Sequence, residues 1–427
     1  MDFDESKEYL YSLGNEVSAM KLGLENIRTL LTALGEPQNR YLKVQVAGTN
    51  GKGSVCAFLD SICNTAGIKT GTFTSPHLVS ITERIRINGE DISEEDFAHH
   101  ATFIRETAER LLEKGDLEYR PTFFEQMTAI ALTAFAEAKI KLAILETGLG
   151  GRLDATTAAN AEIAAITRID LDHQEYLGDT IQEVAAEKAA VIHSGSIVVV
   201  AEQDPAATQV ISERLNLFGI HARKAEQVKT RQTGRLKFIT EKGEYELNKI
   251  GLRGQHQMEN AKVAILLAEA LQDYFPISPL NIIGGLETAI HPGRLEFVGR
   301  YLLDGAHNPA GAKALRYFLD ESVTQPVTMV FGALKGKHVV EIAELLFSKA
   351  DKLILTQPEN SRAMSAAEII SQIPEDLLPK QTILTDNVDE ALKKAADVTS
   401  EGGLILITGS LYLVGQAKKT QQDNSQI

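Results

Sequence analysis

The residue types with the most chemistry in them fall in residues 44–54, VQVAGTNGKGS, where an apolar run opens into a glycine-bearing loop and then into the helix-like stretch SVCAFLDSICNTAG. A strand–loop–helix of this kind offers backbone N–H groups at a helix start, which is where phosphates bind. Asn50, Gly51, Lys52, Gly53 and Ser54 are therefore the candidate nucleotide contacts. The Lys52 ammonium would meet the β/γ oxygens, and the Ser54 hydroxyl would reach a magnesium ion. The match to the general phosphate-loop pattern is imperfect, because Val46 stands at the usual first glycine and Gly53 separates Lys52 from Ser54. A plain tight turn is the competing reading.

Other strand ends carry further polar groups. Glu146 closes KLAILE ahead of TGLGGRLDAT, where a carboxylate can hold Mg²⁺ directly or through water; a solvent-facing strand-end carboxylate is the alternative. Gly148, Gly150 and Gly151 imply that something approaches this backbone closely. His173, with Asp170 and Asp172 beside it, ends IAAITRIDLDH at an equivalent position, and Ser75 in TFTSPH adds a hydroxyl that is either a metal ligand or a turn serine. Further along, YLLDGAHNPAG puts Asp304 and His307 between a strand and a helix expected to start at Pro309. Arg294, in HPGRLE, would clamp a phosphate or make an interdomain ion pair. Lys188 falls on the same helix face as Ile181, Val184, Ala185, Val191 and Ile192, so its amine must find an anionic partner, lose its charge, or snorkel to water.

Positioning such groups takes strands that end at a common edge. Short apolar runs at residues 44–47, 142–146, 163–169 and 197–201 alternate with helical patterns, the signature of an α/β fold with a parallel sheet. Between the first two lies GTFTSPHL followed by ERIRINGEDI, where Asn88-Gly89 suits a tight hairpin, expected as a small flap beside the sheet. Ser93 with Asp96 reads as a helix cap and Lys114-Gly115 as its stop. A second alternation begins after residues 291–293, with strands expected at 301–304, 328–331, 352–356, 382–384 and 404–408. Two domains are expected, 1–293 and 294–427, with the smaller one Rossmann-like. The polar tail KKTQQDNSQI is expected to fray.

Composition narrows the function. The chain is 44% hydrophobic and 24% charged, a globular balance. Its 43 Lys and Arg against 58 Asp and Glu give a formal charge of −15, which argues against a nucleic-acid footprint. An anionic substrate would then sit in a local positive pocket. No apolar run approaches a membrane span, the start MDFDESKEYLYSLGNE lacks a signal-peptide core, and Cys56 and Cys63 read as small core residues on one helix face. A cytoplasmic protein without membrane or nucleic-acid partners, working as a monomer, is expected.

The segments GTNGKGS, GTFTSPHL, ERIRINGE, ETGLGGRLDAT, DHQEYLGDTI with AEKAAVI, GQHQMENAKVA, HPGRLE and DGAHNPAG, in this order and spacing, resemble folylpolyglutamate synthases of the Mur ligase superfamily. The resemblance implies that ATP converts a folate carboxylate to an acyl phosphate, which the amine of L-glutamate attacks. It assigns the loop residues to ATP, and Ser54, Ser75, Glu146 and His173 to Mg²⁺. It further places Asn260, Arg294 and Asp304 on ATP, and His307 toward the glutamate and the transferred phosphoryl group. Leu22, Gly23, Leu24, Glu25, Phe124 and Asp154 fall where relatives contact the pterin of a folate or dihydropteroate. It also implies a carbamylated lysine at Lys188, and it names K⁺ as a candidate cofactor. Thr157 departs from the asparagine that many relatives carry there. Two other readings compete: a peptidoglycan-type Mur ligase, disfavoured because only residues 1–47 precede the loop, and a non-ligase nucleotide-binding regulatory protein, disfavoured by DGAHNP.

Overall fold

Parallel strands covered on both faces bury every side chain, and the apolar runs do so here. The computed structural model describes residues 1–14 and 23–425. They divide into two compact units. The first comprises Met1–His77, Ile81–Gly251 and Glu259–Ile290; the second comprises Leu78–Ser80, Leu252–Met258 and the chain from His291 onward.

In the first unit the strands are β1 (Leu42–Ala47), β2 (Thr70–Phe73), β3 (Ile85–Ile87), β4 (Glu90–Asp91), β5 (Leu142–Glu146), β6 (Ile163–Ile166), β7 (Ile197–Val200) and β8 (Arg223–Lys224). They form one sheet in the order β4-β3-β2-β5-β1-β6-β7-β8. β2, β5, β1, β6, β7 and β8 run parallel, whereas β3 and β4 are antiparallel. The Asn88-Gly89 hairpin forms as expected, both residues at positive φ, but it is no separate flap. β3 pairs with β2 and extends the main sheet. Its exchange of backbone hydrogen bonds with β2 outweighs the independence its sequence suggested.

One face of the sheet is covered by Glu94–Lys114 and Phe123–Glu137, whose Phe97, Ile104, Met127, Ile130 and Phe135 share a core with Phe73 and Leu145. Ile181–Ala189 and Pro205–Leu217 pack Val184, Ala185, Ile211 and Leu215 with Ile166 and Val198. The helix Lys52–Thr65 packs on β1, β2 and β5 and holds Cys56 and Cys63, both buried and free. Ser93 caps Glu94–Lys114, and Gly115 ends it at positive φ.

A short antiparallel sheet, β9 (Lys229–Thr233), β10 (Arg235–Ile239) and β11 (Glu244–Leu247), carried no sequence motif and is fastened to the helix His256–Leu271 by Glu269. The Tyr245 hydroxyl donates to that carboxylate at 2.8 Å, and Thr240 donates as well.

The second unit holds β12 (Glu296–Val298), β13 (Tyr301–Leu303), β14 (Val327–Phe331), β15 (Lys352–Leu355), β16 (Thr382–Leu384) and β17 (Leu404–Thr408), in the order β12-β13-β17-β14-β15-β16. Only β12 is antiparallel to its neighbour. Separate cores, one around Phe331, Phe347 and Leu406 and the other around Val330, Ile354 and Ile407, line the sheet. Pro309 does open the helix Pro309–Ser322 behind an Asn308 cap. The tail expected to fray continues as the helix Leu411–Ser425.

The backbone of the glycines after β5 is approached closely, as the sequence reading expects, and the approaching atoms are the protein's own. A Cβ on Gly148 would lie 2.6 Å from the Phe124 ring, and one on Gly151 would lie 2.8 Å from the Glu187 carbonyl and 2.9 Å from that of Lys188. Those carbonyls belong to backbone that cannot turn aside. Gly151→Ala is accordingly expected to destabilise by about 1–3 kcal/mol, seen as a lowered Tm. An unchanged Tm in calorimetry would contradict this packing.

Candidate active site

Loops that leave parallel neighbouring strands emerge at one edge, and the loop after β1 and Glu146 at the end of β5 lie there. β1 lies between β5 and β6, with Val46 in register with Glu146 and Ala165. The loop after β1 thus stands between the ends of β5 and β6. It is strapped in place: the Thr49 and Asn50 N–H groups donate to the Arg168 carbonyl at 2.9 and 3.1 Å. The Thr49 hydroxyl donates to the Asp170 carbonyl at 2.8 Å, and the Asn50 amide donates to the Asp170 carboxylate at 2.9 Å. Asp170 is a positioning residue that sequence reasoning saw only as a neighbour of His173; its signal was an acid on the segment after a parallel strand.

Gly48 and Gly51 owe their identity to this geometry. Gly48, at φ 150°, leaves no room for a side chain, since a Cβ would meet the Thr167 hydroxyl. Gly51, at φ 91°, caps the helix Lys52–Thr65, and a Cβ there would lie 2.3 Å from the Asn260 Oδ1. Asn260 is buried in the helix His256–Leu271 and so is pressed against the loop. Lys52 and Gly53 begin their helix and Ser54 is buried in its first turn. Lys52 Nζ makes one long bond, 3.4 Å, to the Thr49 carbonyl.

Glu146 is buried at the end of β5, and its Oε2 accepts the Ser75 N–H at 3.3 Å. This brings Ser75 to Glu146. His173 sits at φ 53° ahead of the short helix Gln174–Leu177, its N–H donating to Asp172 at 2.9 Å and its ring half-exposed. The Glu146 carboxylate and the hydroxyls of Ser54 and Ser75 are the oxygen donors a hard divalent cation takes, and His173 would add an imidazole nitrogen to them.

Lys188 does not snorkel. It is 4% exposed, and its Nζ donates to the Gly48 carbonyl at 2.9 Å. Its pKa is lowered to about 7, by burial first and then by the Lys52 charge, against the pull of Asp172, Asp154 and Glu187. The two lysines of the site therefore face one another electrostatically, one charged and one poised to be neutral.

The pterin candidates lie on mutually touching elements. The helix Glu25–Ala33, the helix Phe123–Glu137 and the turn Ala155–Ala159 contact one another. Gly23, at φ 135°, is overhung by the Glu25 carboxylate; Leu24 is buried; Phe124 packs on Phe73 at 5.7 Å. Leu22 lies outside the described residues. Asp154 is buried and accepts N–H donors from Leu149 at 2.9 Å and Thr156 at 3.0 Å, so its carboxylate shapes the turn. Its pKa is raised by burial. Thr157 donates to the Gly151 carbonyl at 2.7 Å and accepts the Gln45 amide at 2.8 Å, which gives the departing residue a structural role.

Arg294, Asp304 and His307 come together in the second unit. Asp304, buried, accepts the N–H groups of Leu295 and Ala306, both at 3.0 Å. Burial raises its pKa while Arg294 opposes the rise. Arg294 lies over Gly305, and His307 Nδ1 is 2.8 Å from the Gly305 carbonyl.

The arrangement, a nucleotide-type loop with a buried acid beside it on a parallel sheet and a second α/β unit, is matched by Mur ligase domains in both units. Residues 46–268 match the Mur ligase middle domain and residues 293–411 the Mur ligase glutamate ligase domain. The dihydrofolate synthase/folylpolyglutamate synthase of Bacillus subtilis is 34% identical over 94% of this chain and 95% of its own. The folylpolyglutamate synthase of Mycobacterium tuberculosis, solved with ADP and AMPPCP, superposes with a TM-score of 0.90 at 29% identity, over 98% of this chain and 99% of that one. The bifunctional enzyme of Yersinia pestis, solved with AMPPNP and a Mn ion, gives 0.86 at 28% identity, over 99% and 98%. The chain belongs to the folylpolyglutamate synthase/dihydrofolate synthase family of Mur ligases. It is an ATP-dependent ligase.

Proposed function

We propose that this chain joins L-glutamate to a folate with cleavage of ATP. The γ-phosphoryl group passes to a folate carboxylate, and the glutamate amine adds to the acyl phosphate, expelling phosphate as the amide forms. The observation that carries the reading is the strapped loop Gly48–Ser54 with Lys52, Glu146 and Lys188 gathered at its edge. Lys52 would hold the migrating phosphoryl charge, and His307 would face the glutamate and that phosphoryl group. Asn50, Gly51, Gly53, Ser54, Asn260, Arg294 and Asp304 would bind ATP. Gly23, Leu24, Glu25, Phe124 and Asp154 would line the pterin end. Ser54, Ser75, Glu146 and His173 would hold Mg²⁺, which when bound neutralises phosphate charge.

The relatives' names support the substrates, and the match limits at 268 and 293 support an ATP- and folate-binding domain at 1–293 and a glutamate-ligase domain at 294–427. Bifunctionality, with dihydropteroate as a second acceptor, is favoured by the paired activities in the name of the Bacillus subtilis relative. K⁺ and a carbamylated Lys188 complete the proposed cofactors. A cytoplasmic monomer without nucleic-acid or membrane partners suits the formal charge of −15 and the two free thiols. Among the described residues no helix is long and apolar enough to cross a membrane.

The deciding measurement is ATP turnover with dihydropteroate and with tetrahydrofolate, each with and without L-glutamate. Phosphate release that requires glutamate with tetrahydrofolate is expected, and its absence with both acceptors would sink the proposal. Release that ignores folate and glutamate would favour a regulatory ATPase, whereas release only with a nucleotide-sugar peptide would favour a peptidoglycan ligase. Arg294→Lys should raise KM for ATP by about ten- to a hundredfold, since a lysine cannot reproduce a forked contact worth about 1.5–3 kcal/mol. An unchanged KM would remove Arg294 from the ATP contacts.

A further inference from the structure

One unexplained polar group outside this site is His100, on the helix Glu94–Lys114. It is 4% exposed, and its Nδ1 is buried with no hydrogen-bond partner. Its Nε2 lies 3.8 Å from the Glu137 carboxylate, too far for a hydrogen bond. A buried imidazole nitrogen without a hydrogen-bond partner is uncommon, and the other nitrogen, Nε2, is the one that faces Glu137. The neighbouring His99 ring stands 5.2 Å away, nearly perpendicular to it. One donor atom from each of His99, His100 and Glu137 falls within 4.8 Å of the others.

We propose that His99, His100 and Glu137 form a second metal site, separate from the catalytic one, that takes a borderline transition cation such as Zn²⁺. Two imidazoles and a carboxylate are a ligand set such ions prefer over Mg²⁺. Metal–donor distances of about 2.0–2.2 Å need donors closer together than 4.8 Å. His99 and Glu137 are exposed and can turn inward, while His100 is fixed by burial. His99 also lines a surface hollow with Met1, Asp2, Glu94 and Glu95, three carboxylates against one amino terminus.

The site is remote from the nucleotide loop. Phe124, near the start of the helix Phe123–Glu137, touches Gly148 at the catalytic edge. Glu137 ends that helix, about 20 Å away at 1.5 Å per residue. A bound cation would cross-link this helix to Glu94–Lys114, the two that cover β2 and β5, and so stabilise the folded chain by mass action.

The test uses the full-length, tag-free chain, stripped with chelator and kept in excess Mg²⁺ so that the catalytic site is occupied. Calorimetric titration with Zn²⁺ should give one site, and Tm should rise on adding Zn²⁺. Addition of Co²⁺ in place of Zn²⁺ should give the visible absorption of an imidazole-bound ion. His99→Ala and Glu137→Gln, both at exposed positions, should each weaken binding by at least about tenfold and abolish the Tm rise, with ligase turnover in Mg²⁺ unchanged. His100→Ala is avoided as the sole test because a buried cavity can unfold the chain by itself. Zn²⁺ binding that is absent, or that is equally tight in both variants, overturns the site.

Discussion

Lys52→Ala is expected to lower glutamate-dependent phosphate release at saturating ATP by on the order of 10²-fold or more, with the fold and Tm unchanged. The side chain is spent on little else: its Nζ donates to the Thr49 carbonyl at 3.4 Å, at the weak end of hydrogen-bond range. Alanine is also a good helix former at the first position of Lys52–Thr65, so the loop should keep its course. What is removed is the charge held where the phosphoryl group would migrate. The same change should be felt at Lys188, whose pKa Lys52 depresses; without that neighbour it rises. Single-turnover assays with ATP near saturation check the claim, and a variant with near-normal turnover would refute the role given to Lys52.

Much of this was legible in the chain because the signals were local. The phosphate loop, the Ser93 cap, the Asn88-Gly89 turn and the strand ends each depend on residues adjacent in sequence. The strands at 142–146, 382–384 and 404–408 begin and end where the apolar runs do. Partnerships were harder. That Asp170 would hold Asn50, or that Glu146 would take the Ser75 N–H, depends on which strands become neighbours, and no spacing records that. The antiparallel sheet β9–β11 went unseen because its strands are charged on one side, paired as Lys237 with Glu244 and Arg235 with Glu246. The glycines after β5 are a related case: the close approach was legible, but that it comes from Phe124 and the carbonyls of Glu187 and Lys188 was not. His99 and His100 showed how little a histidine pair says until Glu137, on another helix, stands beside it.

Lys188→Ala is expected to lose most ligase activity and to recover part of it when a small carboxylate such as acetate or formate is added. An amine that is 4% exposed and donates to a backbone carbonyl is a poor place for a fixed positive charge. With its pKa lowered from 10.5 to about 7, a substantial share is neutral at physiological pH. The neutral amine is the form that adds carbon dioxide: its nitrogen bonds the carbon and a proton leaves, so the cation is replaced by a carbamate anion. Formed there, the carbamate would exchange repulsion with Lys52 for attraction. It would also supply a further oxygen donor near the loop. The sign of the pH dependence follows from the lowered pKa. Between about 7 and 10.5 the unfolded chain binds more protons at this lysine than the folded chain does, so its penalty on folding is full below about 7 and fades as pH rises through that window. Lys188→Met, which keeps the stem's volume without the amine, should therefore flatten the stability–pH curve there while remaining inactive. The carbamate itself is tested by high-resolution density from crystals grown near neutral pH with bicarbonate. A bare ammonium at Lys188 in that density, or an alanine variant with parental turnover, would defeat the carbamate, while the ligase assignment would still rest on the loop and on glutamate-dependent phosphate release.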